Sequence, residues 1–294
     1  MTADARGLGG SAGAAGAGPG LRLATEADGH NHQHMAAPLA ALIADEIIPR
    51  LIRAHGDGTP RKAAPNAHTL GPADVETLAT LSLASDGNAL LDWCEQWLAH
   101  GVGVPRLLLE LVGPAACRLG EYWEQDRVDF IEVTLAMGRL QQLVLAVAQR
   151  QPGIAPPGAA PRRALFAPVP GEQHSLGALI IDEIFRRSGW ETTGVRAATP
   201  AGLLAAVAAQ PLDLVGLSVS CARFVPALSG LIGAIRRTSR NPALIVMTGG
   251  AVFANAPELA EDVGADLCVT AAESAVALCE ARLAAAHGTH TARA

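Results

Sequence analysis

Arg163-Ala164-Leu165-Phe166-Ala167-Pro168-Val169-Pro170-Gly171-Glu172-Gln173-His174-Ser175-Leu176-Gly177-Ala178-Leu179-Ile180-Ile181-Asp182-Glu183-Ile184-Phe185 is the stretch on which the fold turns. A short apolar run, 163–169, reads as a buried strand. A polar loop with one histidine follows, and then apolar residues recur at helical spacing. Strand, loop and helix in that order form half of a βαβ unit. At the carboxyl edge of such a sheet the loops are where ligands bind.

Downstream the same alternation repeats. Strands are expected at 163–169, 191–195, 212–219, 243–248 and 266–270, with helices at 176–188, 199–209, 224–237, 251–263 and 272–286. Leu212-Asp213-Leu214-Val215-Gly216-Leu217-Ser218-Val219 and Ala243-Leu244-Ile245-Val246-Met247 are almost continuously apolar, as strands covered on both faces are. The expected fold is α/β: residues 163–286 form a doubly wound, five-stranded parallel sheet of Rossmann-like type, and 287–294 a frayed C-terminal tail. In this chain region Asp182 and Glu183 read as solvent-facing.

Upstream the period is helical. Between 71 and 150, helices are expected from Ala73 to about Gly87, Asn88 to His100, Val104 to about Gln125 and Val128 to Arg150. Their short connections imply an antiparallel four-helix bundle. Trp93 and Trp97 sit at i, i+4 and read as core. Residues 151–162, with Pro152, Pro156, Pro157 and Pro161, read as a stiff linker. Residues 36–70 hold a helix (Leu39, Leu42, Ile43, Ile47, Leu51 and Ile52 in phase) and a linker. Residues 1–35 are Gly/Ala-rich and read as a disordered tail. The run His30-Asn31-His32-Gln33-His34 lies in that tail, where nothing holds a metal geometry.

Composition narrows the function. The net charge of −6 argues against strong direct nucleic-acid binding. The five cysteines, Cys94, Cys117, Cys221, Cys268 and Cys279, make no CxxC pair and read as free thiols in a reducing compartment. No signal peptide and no charge-free apolar run of about 18 residues is seen, so the expectation is a cytoplasmic protein. No Ser-His-Asp or Cys-His order stands out, and nothing demands an enzyme.

Three loops converge at the carboxyl ends of the expected strands. The first brings Glu172, Gln173, His174, Ser175, Leu176 and Gly177, the third Ser218-Val219-Ser220, and the fourth Thr248-Gly249-Gly250. Imidazole is a good transition-metal ligand, and Glu172 can fix its tautomer through the other ring nitrogen. Small residues at 218, 220, 249 and 250 leave room for an inserted group. A dinucleotide fingerprint is absent from the first loop.

These residues resemble the signature of cobalamin-binding domains of methionine synthase, corrinoid mutases and corrinoid photoreceptors: Asp-x-His-x-x-Gly, Ser-x-Leu and Gly-Gly. Here Glu172 replaces the Asp, Ser220 replaces the Leu, and Gly249-Gly250 match. The resemblance implies that His174 is the lower axial ligand of cobalt and that the dimethylbenzimidazole tail enters beside Ser218, Ser220 and Gly249-Gly250. It also implies a helical cap over the corrin, with Trp123 in it. Light-sensing members carry Glu-His where this chain has Val133-Thr134, so two polar upper-face groups are missing. The segments Glu46-Ile47-Ile48-Pro49-Arg50-Leu51 and Trp123 to Leu143 resemble the AerR/PpaA-type photosynthesis regulators. That resemblance, over roughly 36–285, implies a light- or corrinoid-responsive antirepressor acting on a CrtJ/PpsR-type transcription factor. A corrinoid carrier for methyl transfer and a haem-binding sensor are the alternatives on the same scaffold.

Overall fold

A computed structural model describes residues 69–84, 87–150, 161–195 and 199–291. The expected tail at 1–35, most of the helix and linker at 36–70, the histidine run and most of the 151–162 linker lie outside these residues.

The helical part opens with α1, Pro72–Leu83, and α2, Gly87–Ala99. Proline at the first position of α1 needs no amide partner, and the Asp74 carboxylate accepts the Gly71 amide at 2.8 Å, which closes the helix start. A third rod begins α-helical at Val104–Arg106, passes through a π-helical stretch at Leu107–Val112 and continues as α3, Gly113–Glu124. Pro114 explains the wide stretch. Its nitrogen carries no hydrogen, so the ordinary ladder breaks there, and the Gly113 amide bonds back five residues to the Leu108 carbonyl. Helix α4, Phe130–Arg150, closes the bundle. Leu78, Leu90, Leu107, Leu119, Leu140 and Val144 fill the centre, with Trp93 and Trp97 packed edge-on at its margin. Helix α4 has the length and hydropathy of a membrane span, but Ala136, Leu140, Leu143, Val144 and Val147 bury one face in the bundle.

The second part is the expected five-stranded parallel sheet, with strand order β2-β1-β3-β4-β5: β1 Arg163–Pro168, β2 Glu191–Gly194, β3 Leu214–Ser218, β4 Ile245–Gly249 and β5 Leu267–Val269. The register aligns Pro168 with Ser218 and Ser218 with Gly249, so the loops after β1, β3 and β4 leave the sheet at one level. The chain reverses its direction of winding between β1 and β3, which is where an open α/β sheet leaves a crevice. Helices α5 (Leu176–Arg187), α6 (Pro200–Ala209), α7 (Val225–Thr238), the short α8 (Ala251–Asn255) and α9 (Leu259–Asp262), and α10 (Ala275–Thr291) cover the faces.

Three details differ from the sequence reading. The helix expected over 251–263 is broken in two, because Pro257 pushes Ala256 to φ −143°, out of the helical region. Helix α10 runs to Thr291, past the fraying expected from 287. Asp182 and Glu183 are not solvent-facing. Helix α5 is wedged between sheet and bundle: Leu176, Ile180 and Ile184 join the bundle core while Phe185 packs on Phe166 of β1. Glu183 is therefore buried and paired with Arg186 and Arg187, and Asp182 lies against Gly194 at the β2 edge.

Candidate corrinoid site

The loop after β1 turns tightly. Pro170 and Gly171 occupy its centre, Gly171 has φ +87°, and the Glu172 amide bonds back to the Val169 carbonyl at 2.9 Å. Proline followed by a residue of positive φ defines a type II turn, so the sequence itself specifies it. The turn drives the Glu172 side chain inward, where it is fully buried, and leaves His174 projecting.

Glu172 is the anchor. One carboxylate oxygen accepts the His174 ring Nδ1 at 2.5 Å and the amides of Gln173 and His174; the other accepts the amides of Ser220 at 3.1 Å and Cys221 at 3.0 Å. Burial alone pushes this carboxyl up, but hydrogen bonds from the His174 ring and from the His174, Ser220 and Cys221 amides outweigh it and hold it below its usual range. An ionised carboxylate can only accept, so Nδ1 carries the ring proton and Nε2 keeps a free lone pair. His174 is exposed and lines the cleft, with Nε2 as its available donor. The longer Glu, in place of the family's Asp, thus ties the first loop to the third as well as setting the tautomer.

Glu172, His174 and Cys221 lie close enough to one another to suggest a metal cluster. The chemistry says otherwise. Glu172 spends its lone pairs on backbone donors. The Cys221 thiol is pushed up by burial and by the Glu172 charge, so it stays protonated. His174 is left as the single donor.

Above the loop a cleft of about 1000 Å³ separates the sheet edge from the bundle. His174, Leu176, Gly177, Ser218, Ser220 and Gly250 form its floor, and the bundle supplies Val75, Leu109, Cys117, Arg118 and Met137 on the opposite wall. From the floor a narrower, mostly apolar slot of about 260 Å³ runs down between α5 and the sheet, past Gly177, Ser218, Gly249 and Gly250 to Gly216, Phe166 and Met247. The slot exists because its walls lack side chains. A Cβ at Gly177 would lie 3.4 Å from the Ser218 hydroxyl, at Gly249 3.2 Å from the Val269 carbonyl, and at Gly216 2.5 Å from the Phe166 ring. Gly250 has φ +100°, and a Cβ there would strike the Val219 carbonyl at 2.5 Å. A planar group held by one nitrogen above, with a tail threaded below, fits this shape.

Of the residues expected from sequence, His174, Leu176, Gly177, Ser218, Ser220, Gly249 and Gly250 border the cleft or slot, with Glu172 directly behind. Gln173 points to solvent, and Ser175 accepts a hydrogen bond from Gln141 of α4 at 3.2 Å. Val219 and Thr248 are buried beneath the site and do not line it. Trp123 is 51% exposed at the far end of α3 and borders neither cavity, unlike the cap position expected for it. Val133 packs into the bundle, and the Thr134 hydroxyl bonds the Phe130 carbonyl. Gly216, Phe166 and Met247 were missed. A glycine inside the run Leu214-Val215-Gly216-Leu217 is a usable signal, since a strand-interior glycine often marks a close approach. Cys117, Arg118 and Met137 carry no local signal; only the tertiary packing brings them there.

Fold and site together define a B12-binding-domain protein, and comparison agrees: the B12 binding domain family matches residues 162–280. The chain belongs to that family. A Rhodobacter capsulatus protein described as an uncharacterized 20.5 kDa protein in the bchF-crtJ intergenic region is 31% identical over 180 residues, 59% of this chain and 90% of that one. The structure of the Methanosarcina barkeri monomethylamine corrinoid protein has the same fold, with a TM-score of 0.56 and 14% identity over 71% of this chain and 98% of that one. A cobalamin-binding protein from Desulfitobacterium hafniense DCB-2 aligns with a TM-score of 0.38 and 18% identity over 71% and 97%.

Proposed function

We propose that this protein is a cobalamin-dependent regulator, not an enzyme, that reports light or corrinoid state to a transcription factor of the CrtJ/PpsR type. The observation that carries the cofactor half is the pairing of a tautomer-fixed His174 with the glycine-walled slot beneath it. Haem would use the histidine but has no tail for the slot, so the geometry favours a corrinoid. A corrinoid bound here would be held through His174 and would supply a metal centre with an exchangeable ligand. The protein's part is to present Nε2, to hold Glu172 ionised behind it, and to keep the tail slot dry with Phe166, Ile181 and Met247.

The regulatory half is supported by the relative whose description places it between bchF and crtJ. A carrier for methyl transfer is the second reading, and the fold shared with a corrinoid protein favours it. The test is to reconstitute the full chain with hydroxocobalamin and add a purified CrtJ/PpsR-type repressor bound to its operator, in light and dark. Release of the repressor only by the holoprotein supports the regulator. Loss of a cobalt-bound methyl group to an added methyltransferase, with no effect on the repressor, supports the carrier.

A further inference from the structure

Helix α4 has three faces. Ala136, Leu140, Leu143, Val144 and Val147 enter the bundle core. Met137 lines the cleft and Gln141, one turn on, donates to Ser175 beside His174. The remaining face carries Ile131 and Leu135, four residues apart and 66% and 53% exposed, on the side opposite the core. Gly138 continues this stripe, and a Cβ built there meets nothing within 4 Å. The result is two apolar knobs beside a flat spot where another backbone can approach closely. Phe130 and Trp123, also well exposed, stand at the same end of the helix pair.

We infer that Ile131, Leu135 and Gly138 form the docking surface for a partner protein's helix with an apolar face and lysine or arginine flanks. The occupant is chosen by charge. Exposed Glu124, Asp126, Asp129 and Glu132 flank Ile131 in the chain, against two arginines: Arg127, whose guanidinium lies 3.9 Å from the Tyr122 ring centre, and Arg139, which turns back to donate to the Ser82 and Leu83 carbonyls. A second copy of this acidic face is repelled by the first, and an anionic membrane is repelled likewise. A basic amphipathic helix satisfies both the stripe and its rim. The inference rests on the signalling reading for its meaning, since α4 is the element that touches cleft, His174 loop and exterior together. A change at the His174 loop reaches the docking face through the Gln141–Ser175 contact along one rigid helix.

The test uses the full chain and a fluorescent helical peptide of about 18 residues, with leucines on one face and lysines on the other, the length of a five-turn helix. Its counterpart with glutamates in place of lysines is the charge control. Three proteins are compared: wild type, Ile131→Ser/Leu135→Ser, and Gly138→Gln. The last adds a better helix former in open space, so the chain stays folded while the flat spot is filled. Expected is saturable, salt-sensitive binding of the lysine peptide to wild type, at least tenfold weaker in both variants, with the glutamate peptide at least tenfold weaker throughout. Equal lysine-peptide affinity in wild type and Gly138→Gln overturns the inference. So does wild-type capture by phosphatidylglycerol/phosphatidylcholine vesicles, or a wild-type dimer in sedimentation that the double variant abolishes. Hydroxocobalamin is titrated into all three proteins. Corrinoid binding without peptide binding sinks this surface alone; peptide binding without corrinoid binding sinks the cofactor reading alone.

Discussion

Replacing Gly216 by alanine tests the slot with one methyl group. The added Cβ would lie 2.5 and 2.6 Å from two carbons of the Phe166 ring and 3.2 Å from the Met247 methyl, about 1 Å inside ordinary contact for the ring. Phe166 cannot retreat toward Phe185, whose ring packs against it at a 54° tilt with centroids 4.8 Å apart. The ring therefore yields into the slot. Overpacking of this kind costs about 1–3 kcal/mol. For a domain of this size that lowers the apoprotein melting temperature by roughly 2–4 °C per kcal/mol. The narrowed slot also excludes part of the nucleotide tail. Un-burying only about 55 Å² of apolar tail at ~25 cal/mol per Å² removes about 1.4 kcal/mol, a tenfold loss of affinity. The assay is a pair of titrations, one with hydroxocobalamin and one with cobinamide, which lacks the tail. Cobalamin should weaken at least tenfold and cobinamide by less than threefold. Equal losses for both ligands, or an unchanged cobalamin affinity in a destabilised protein, refute the idea that the slot holds the tail.

Glu172→Gln keeps an oxygen for the Ser220 and Cys221 amides but offers the ring an amide donor, so Nδ1 becomes an acceptor and Nε2 takes the proton; a folded protein with corrinoid affinity ~10- to 100-fold lower by titration is expected. The same carboxyl sets an acid limit. Its folded value lies below the usual 4.5, so its stabilisation is present at neutral pH and is lost as pH falls through the folded value; the wild-type advantage over Glu172→Gln in urea melts should shrink steadily below about pH 4.5. Asp182 runs the other way. Burial raises its value above 3.8 despite a hydrogen bond with Thr192, and one of its oxygens has no partner. Its charge therefore destabilises the fold increasingly as pH rises past the unfolded value, and Asp182→Asn should stabilise the apoprotein by about 1 kcal/mol at pH 7, with the gain fading toward pH 3.

The sheet was legible because β1, β3 and β4 are nearly continuous apolar runs and their ends carry turn chemistry: Pro170-Gly171, Ser218 and Gly249-Gly250. The site floor was legible for the same reason, since parallel strands must release their loops on one edge. The Glu172–His174 pairing could be anticipated from a two-residue spacing, but the second grip of Glu172 on the Ser220 and Cys221 amides depends on register between β1 and β3, some fifty residues apart. The depth of the slot depends on Gly216 facing Phe166 across that same register. The misreading of Asp182 and Glu183 came from treating α5 as a surface helix, when it is the shared wall of sheet and bundle. Trp123 was expected over the cofactor because its sequence position fits; the turn through Asp126, at φ +55°, instead leaves it at the end of the helix pair.

The most direct test of the account is the absorption spectrum of the protein reconstituted with hydroxocobalamin, compared between wild type and His174→Ala. His174 is exposed and its ring contacts are with Glu172 and Cys221, so the alanine variant should fold and can be checked by circular dichroism. A wild-type spectrum shifted from that of free hydroxocobalamin, reverting toward the free form in His174→Ala with added imidazole restoring the shift, is the predicted result. An identical bound spectrum in both proteins, or no bound corrinoid in the wild type, would contradict ligation of cobalt by His174.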